Sequence, residues 1–233
     1  MHPMLRPMSW PDPLPAGIEV YRLDLDLDAD VSHERQVLAF AERAQADRFA
    51  RGADRVRFTA ARAALRRLLA TRIGCHPAEV PLATGLHRKP FLDVAGGDAP
   101  LFNVSHSGAH ALIALGDPRV VSEVGIDIEA CRSDVDVEAV TSLAFTDSER
   151  RALQQTADPL QALYSRWVGK EAVLKAVGVG VAEHLQSIGI HSGVHGRYVL
   201  ECTVPEWSGL QAVALHAPAG YAAALAWRAK EST

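Results

Sequence analysis

Gly125-Ile126-Asp127-Ile128-Glu129 reads as a β-strand with two unlike faces. Residues two apart on a strand project from the same side. Asp127 and Glu129 therefore share one face, while Ile126 and Ile128 point into a core. Two carboxylates held that close repel each other unless a cation sits between them. Oxygen-only ligation suits Mg²⁺, which takes one or two carboxylates and leaves its other positions to water and substrate phosphate. A solvent-facing strand edge with two harmless acids is the plainer alternative.

A second stretch, Trp167-Val168-Gly169-Lys170-Glu171-Ala172-Val173-Leu174-Lys175, lies in a helix expected from Pro159 to Val177. Apolar side chains surround most of it, and a helix hydrophobic nearly all round is buried. Glu171 and Lys175 nonetheless sit one turn apart on one face. An i,i+4 pair returns only about 0.2–0.5 kcal/mol, whereas burying ions costs several kcal/mol each. A cleft holding metal and phosphate explains the placement better: Glu171 completes a metal site or acts as a base, and Lys175 neutralises phosphate. Gly178 and Gly180 let the chain leave the helix cheaply.

Working outward, period-two alternation from Tyr21 to Asp28 marks a half-buried strand, and Ser32 is expected to cap a helix. Arg43 to Arg72 reads as one arginine-rich helical stretch, either a solvated face or a local anion site. Strand-like runs follow at 102–104, 111–115 and 124–128. A helix is expected at 135–145. Thr146 and Glu149 form a capping box for the next helix. Strands at 187–191, 198–204, 210–215 and 221–227 close the chain, with turns at His195-Gly196 and Pro218-Ala219-Gly220. Each half thus supplies one long helix and several antiparallel strands, so the expected fold class is α+β in two similar lobes. The expected divisions are a proline-rich tail over residues 1–17, extended or disordered, one lobe over 18–117 and another over 118–233.

The chain is 48% hydrophobic and 22% charged, ordinary for a globular protein. Its net charge of −4 argues against nucleic acid as the main partner. Cys75, Cys131 and Cys202 are far apart and form no CxxC pair, which fits neither a disulfide framework nor a cysteine zinc site and suits a reducing cytoplasm. No segment approaches the roughly 20 apolar residues needed to span a bilayer.

A third motif, Asn103-Val104-Ser105-His106-Ser107-Gly108, lies between two strand-like runs. Ser105 and His106 can both hydrogen-bond an anion. A serine hydrolase would need a Gly-x-Ser-x-Gly elbow, which is lacking. Taken with the acids and Lys175, the set points to phosphoryl-type transfer, where charge neutralisation and positioning carry catalysis.

These motifs, with Lys89-Pro90, stand in an order and spacing that resembles the surfactin-type 4′-phosphopantetheinyl transferases over about residues 40 to 190. The resemblance implies two lobes related by a pseudo-twofold, with coenzyme A in the cleft between them. It implies that Asp127, Glu129 and Glu171 hold Mg²⁺ against the pyrophosphate, and that Glu171 and Lys175 are the catalytic pair. Glu171, or a water on the metal, would deprotonate a serine of an apo acyl or peptidyl carrier protein, and that serine would attack the β-phosphate and release 3′,5′-ADP. Lys89, Ser105, His106, Lys170 and Lys175 would line the coenzyme site, with Arg48 and Arg57 near the 3′-phosphate. Glu42 and Gln45 depart from lysines found in some relatives, and Arg88 stands where many have glycine. A monomer would suffice, with no nucleic acid or membrane as partner. Three rivals remain at this point: a coenzyme A-binding protein without transfer, a Mg²⁺-dependent phosphohydrolase, and a nucleic-acid module on the arginine-rich helix.

Overall fold

The structure, a computed structural model, describes residues 4–8, 15–85, 87, 89–96 and 98–231. Arg88 and most of the proline-rich tail lie outside the described residues. The tail's described part is a strand, β1 (Met4–Pro7), which pairs antiparallel with β2 (Ile18–Asp24). The chain continues through α1 (Ser32–Gln36), α2 (Phe40–Asp47) and α3 (Gly52–Ile73). Strands β3 (Leu82–Thr84), β4 (Pro90–Leu92), β5 (Leu101–Ser107), β6 (His110–Gly116) and β7 (Val121–Ala130) follow. The rest comprises α4 (Val137–Ala144), α5 (Asp147–Gln154), α6 (Pro159–Val177), α7 (Val181–His184), β8 (Ile188–Ser192), β9 (Tyr198–Cys202), β10 (Leu210–Leu215) and β11 (Tyr221–Ala229).

The expected single helical stretch from Arg43 to Arg72 is two helices, because the chain breaks at Arg48–Arg51 before α3 begins at Gly52. Ser32 is the first residue of α1, not its cap, since Val31 takes that position with no side-chain cap bond. The Thr146–Glu149 capping box is present on α5. Helix α6 starts at Pro159, behind an Asp158 side chain that accepts from Gln161 N, and ends on Gly178 at φ 84.

Two antiparallel sheets organise the molecule, in orders β1-β2-β6-β5 and β10-β11-β7. Helix α3 covers one face of the first: Ala60, Ala61, Leu65 and Leu69 pack with Leu23, Phe102, Ala111 and Ile113. Helix α6 covers one face of the second: Val168, Ala172 and Ala176 pack with Ala222, Ala224 and Ala226. The remaining faces meet, with Val20, Leu112 and Ala114 of the first sheet against Ile126, Ile128, Leu225 and Trp227 of the second. The fold is α+β, with a long helix on the outside of each sheet. Among the described residues no helix is long and apolar enough to cross a membrane.

One contact sets the height of α6 above its sheet. A Cβ on Gly125 would lie 2.1 Å from Ala172 O and 2.3 Å from Ala176 N. Strand and helix backbones therefore touch, and only hydrogen fits between them. Gly125→Ala is expected to lift α6 and to destabilise the protein by about 1–3 kcal/mol or more, the cost of overpacking a tight core. A drop in the thermal unfolding midpoint checks this; an unchanged midpoint would contradict the close approach.

Candidate functional site

Because β7 is pinned under α6 at Gly125, the next residues on the same face of β7 lie beside the last two turns of the helix. Asp127, Glu129 and Glu171 each offer an oxygen within 4.8 Å of the others. Lys175, one turn after Glu171, completes the group: its Nζ lies 2.5 Å from Asp127 Oδ1 and 3.3 Å from Glu171 Oε2. Ile126 and Ile128 are fully buried on the other face of β7, as the alternation predicts.

Strand β5 runs beside β7 without a backbone ladder between them, and its side chains fill the seam. Asn103 Oδ1 accepts from Ile126 N at 2.9 Å. Ser105 Oγ donates to Asp127 Oδ1 at 2.7 Å. Ser107 Oγ donates to Glu129 Oε2 at 2.7 Å and accepts from Ala130 N at 3.1 Å. Asn103 and Ser107 thus replace missing strand–strand bonds, while the serines orient the carboxylates. Neither Asn103 nor Ser107 stands out among the expected site residues, although their period-two spacing with Ser105 matches that of Asp127 and Glu129.

The electrostatics favour a bound cation. Asp127 has 0% relative exposure, and its Oδ2 has no hydrogen-bond partner. A buried carboxylate oxygen left unpaired is costly. Burial, then the Asp127 charge, push the Glu171 carboxyl up to about 7 against the pull of Lys175. Burial likewise raises Glu129, opposed by its bond from Ser107. Burial works against the Lys175 ammonium, but Asp127 and Glu171 outweigh it and raise its pKa. Three crowded carboxylates facing one ammonium fit a hard divalent cation, which Asp127, Glu129 and Glu171 would hold through oxygen.

The other expected residues divide. Ser105 belongs to the cluster, and its Oγ lies 3.2 Å from Lys175 Nζ. His106, one residue on, takes the other face of β5. Desolvation of its ring, with Arg57 and Lys175 adding positive charge, lowers its pKa. Arg57 reaches from α3 to the β5–β6 turn, donating from Nε to Gly108 O at 3.0 Å and pairing with Asp54 at 2.6 Å. Lys89 donates to Ala176 O at 2.7 Å and so ties the β3–β4 hairpin to the last turn of α6. Burial lowers its pKa. Arg48 is exposed just after α2, and its side chain makes none of the bonds that link the others.

Lys170, expected to line the coenzyme site, does not join the carboxylate cluster. It has 0% relative exposure, pairs with the equally buried Glu149 at 2.7 Å and donates to Leu185 O and Ile188 O. It points from α6 toward β8, and all of its donors serve the interior. Glu42 is likewise committed elsewhere. It accepts from Ala39 N at 2.8 Å and pairs with the buried Arg66 at 2.6 Å, whose other donors reach Pro77 O and Val80 O.

Residues 123–226 match the family model of the 4′-phosphopantetheinyl transferase superfamily. The chain is 34% identical over 200 residues to the 4′-phosphopantetheinyl transferase HetI of Nostoc sp., covering 84% of this chain and 82% of that protein. It is 31% identical over 154 residues to a putative 4′-phosphopantetheinyl transferase of Synechocystis sp., covering 65% of this chain and 61% of the relative. Among solved structures, the Bacillus anthracis holo-(acyl-carrier-protein) synthase in complex with CoA (3′,5′-ADP) aligns with a TM-score of 0.37 and 18% identity, over 48% of this chain and 99% of its own.

Lys170→Met is expected to cost about 3–5 kcal/mol, because it strands the Glu149 carboxylate in the core. At a temperature where the variant stays folded, its affinity for coenzyme A should equal that of the unaltered protein. Thermal unfolding and calorimetric titration check both, and a weakened affinity in the folded variant would return Lys170 to the site.

Proposed function

The chain belongs to the 4′-phosphopantetheinyl transferase superfamily, and we propose that it is a surfactin-type member acting through the Asp127–Glu129–Glu171–Lys175 cluster. It is an enzyme that transfers the 4′-phosphopantetheine group of coenzyme A to carrier proteins. The acceptor atom is the hydroxyl oxygen of a carrier serine. The observation that carries the reading is the convergence of three carboxylates from two distant elements, with one carboxylate oxygen left unpaired at full burial.

Asp127, Glu129 and Glu171 would hold Mg²⁺, and that ion would supply positive charge to offset the negative charge of the coenzyme A phosphates. Lys175 contributes a second positive charge on the same side. Glu171, in its ionised form, takes the proton from the serine hydroxyl. The serine oxygen bonds to the β-phosphorus, the bond from that phosphorus to the bridging oxygen breaks, and 3′,5′-ADP leaves with the bonding electrons. Lys175 stabilises the charge that develops on the departing oxygen. Ser105 orients Asp127 and, with His106, offers polar atoms to the coenzyme's phosphates. Lys89 lines the coenzyme site beside the end of α6, and Arg57 meets the 3′-phosphate from α3. Arg48 joins Arg57 there only if the coenzyme extends over the end of α2. The division of the chain into lobes at 117/118 falls between β6 of the first sheet and β7 of the second. The three free cysteines suit a reducing, cytoplasmic setting, and two covalently joined lobes make a monomer sufficient.

Incubation with coenzyme A, Mg²⁺ and an apo-carrier should add the mass of phosphopantetheine to the carrier. No gain on any carrier from a panel drawn from different biosynthetic classes would refute the acceptor. Asp127→Ala should abolish transfer while circular dichroism and the unfolding midpoint show an intact fold. Normal turnover in that variant would refute the cation site. Lys175→Ala should lower kcat by about 100- to 1000-fold, the cost of losing one preorganised donor, with a smaller change in coenzyme A affinity. Equal losses in both would make the lysine a ground-state contact.

A further inference from the structure

Ser107 ends β5, and both functions of its hydroxyl are in use: the proton goes to Glu129 Oε2 and a lone pair accepts from Ala130 N. Its orientation is therefore set by two bonds to adjacent residues of β7. The turn that follows is gripped from both halves of the chain. Arg57 of α3 donates to Gly108 O. From β11, Tyr221 Oη accepts from Ala109 N at 2.9 Å, and the Tyr221 ring meets His110 edge-on at 4.7 Å. Gly108 is at φ 52, and a Cβ there would lie 2.2 Å from Tyr221 Oη. A tight β5–β6 connection needs only the left-handed glycine. The tyrosine that occupies the glycine's open side is an addition to that need. Tyr221 is also in register with Ala130, the neighbour of Glu129, so one short patch of β11 and β7 meets both the turn and the carboxylate.

We infer that Ser107 is a positioning residue for Glu129, and that Tyr221 acts one step further out by holding the turn that carries Ser107. The inference rests on the reading of Asp127, Glu129 and Glu171 as a cation site. Of the two β7 carboxylates, Asp127 is held by Ser105 and Lys175 together. Glu129 is partly exposed, and Ser107 is its hydrogen-bond partner. Without that bond the carboxylate would be free to rotate, and ordering it would be charged against metal affinity. Partners of this outer kind, when removed, cost about 10- to 100-fold in metal affinity.

The test is a Mn²⁺ titration followed by electron paramagnetic resonance, with coenzyme A present and no carrier, so that no turnover enters the readout. Ser107→Ala should weaken Mn²⁺ by about 10- to 100-fold, and Ser107→Thr, which keeps the hydroxyl, should restore most of the affinity. Tyr221→Phe should weaken Mn²⁺ in the same direction but by less. Wild-type affinity in Ser107→Ala, or affinity in Ser107→Thr as poor as in the alanine variant, overturns the role of Ser107. Should Ser107→Ala fail to fold, the threonine and phenylalanine variants decide: wild-type affinity in Tyr221→Phe overturns the outer half of the proposal. Asp127→Ala separates the two levels, since unchanged Mn²⁺ binding there removes the cation site itself, whereas its loss alongside an unaffected Ser107→Ala removes only the inference drawn from Ser107.

Discussion

Contact between the backbone of β7 at Gly125 and that of α6 at Ala172 and Ala176 is the constraint from which the site follows. A strand and a covering helix ordinarily stand about 10 Å apart, with side chains filling the gap. Here the strand offers hydrogen, β11 offers Ala222, Ala224 and Ala226, and the helix comes down onto the sheet. Side chains up to four residues from the contact then lie closer together than such a spacing allows. Glu171 and Lys175 meet Asp127 and Glu129 for that reason. A bulkier strand would keep the same four residues in the same sequence order and hold their charges apart.

The seam between β5 and β7 supplies the other half of the arrangement. Adjacent strands in one sheet satisfy each other's backbone, which leaves no room for side chains between them. In this protein Asn103 and Ser107 take over bonds to Ile126 N and Ala130 N, and the strands stand apart by the length of those side chains. The seam brings the β5 hydroxyls to the acidic face of β7 while leaving its backbone satisfied, as buried amides require. Ser105 and Ser107 add donors where the carboxylates need them.

Much of this was legible in the sequence, and the parts that were not share a cause. Period-two spacing put Asp127 with Glu129 and Ile126 with Ile128, and helical spacing put Glu171 with Lys175, because those relations are local. The approach of the two pairs depends on Gly125, whose role shows only once the helix is over it. Lys170 illustrates the limit from the other side. It is adjacent to Glu171 in sequence and shares its chemistry, but one residue along a helix turns the side chain by about 100°, away from the cleft and onto Glu149. Glu149 was legible as a capping residue of α5, while its second oxygen, which accepts from Ile190 N, and its pairing with Lys170 depend on tertiary contacts. Strand β1 and the short β3–β4 hairpin lacked enough alternation to stand out against the prolines around them.

Helix α6 thus carries two acid–base groupings with opposite thermodynamic characters. At Lys170 a single ammonium meets a single carboxylate, both fully buried, and backbone carbonyls and amides take up their remaining hydrogen-bonding capacity. That grouping is balanced in its hydrogen bonds, with the Arg166 guanidinium beside it adding further positive charge. It needs nothing from solvent, and its desolvation cost is offset within the fold. At Lys175 one ammonium faces three carboxylates, one oxygen of Asp127 has no partner, and burial, with the neighbouring negative charge of Asp127, pushes the Glu171 carboxyl up to about 7. That grouping is neither neutral nor complete. A fold stabilises such a deficit only at the expense of its other contacts, and the charge missing from it has the sign and hardness of a divalent cation. The ion would complete the electrostatics of the site and leave further coordination positions for phosphate oxygen, so the imbalance among the protein's own charges favours the kind of ligand that chemistry at the pyrophosphate would use.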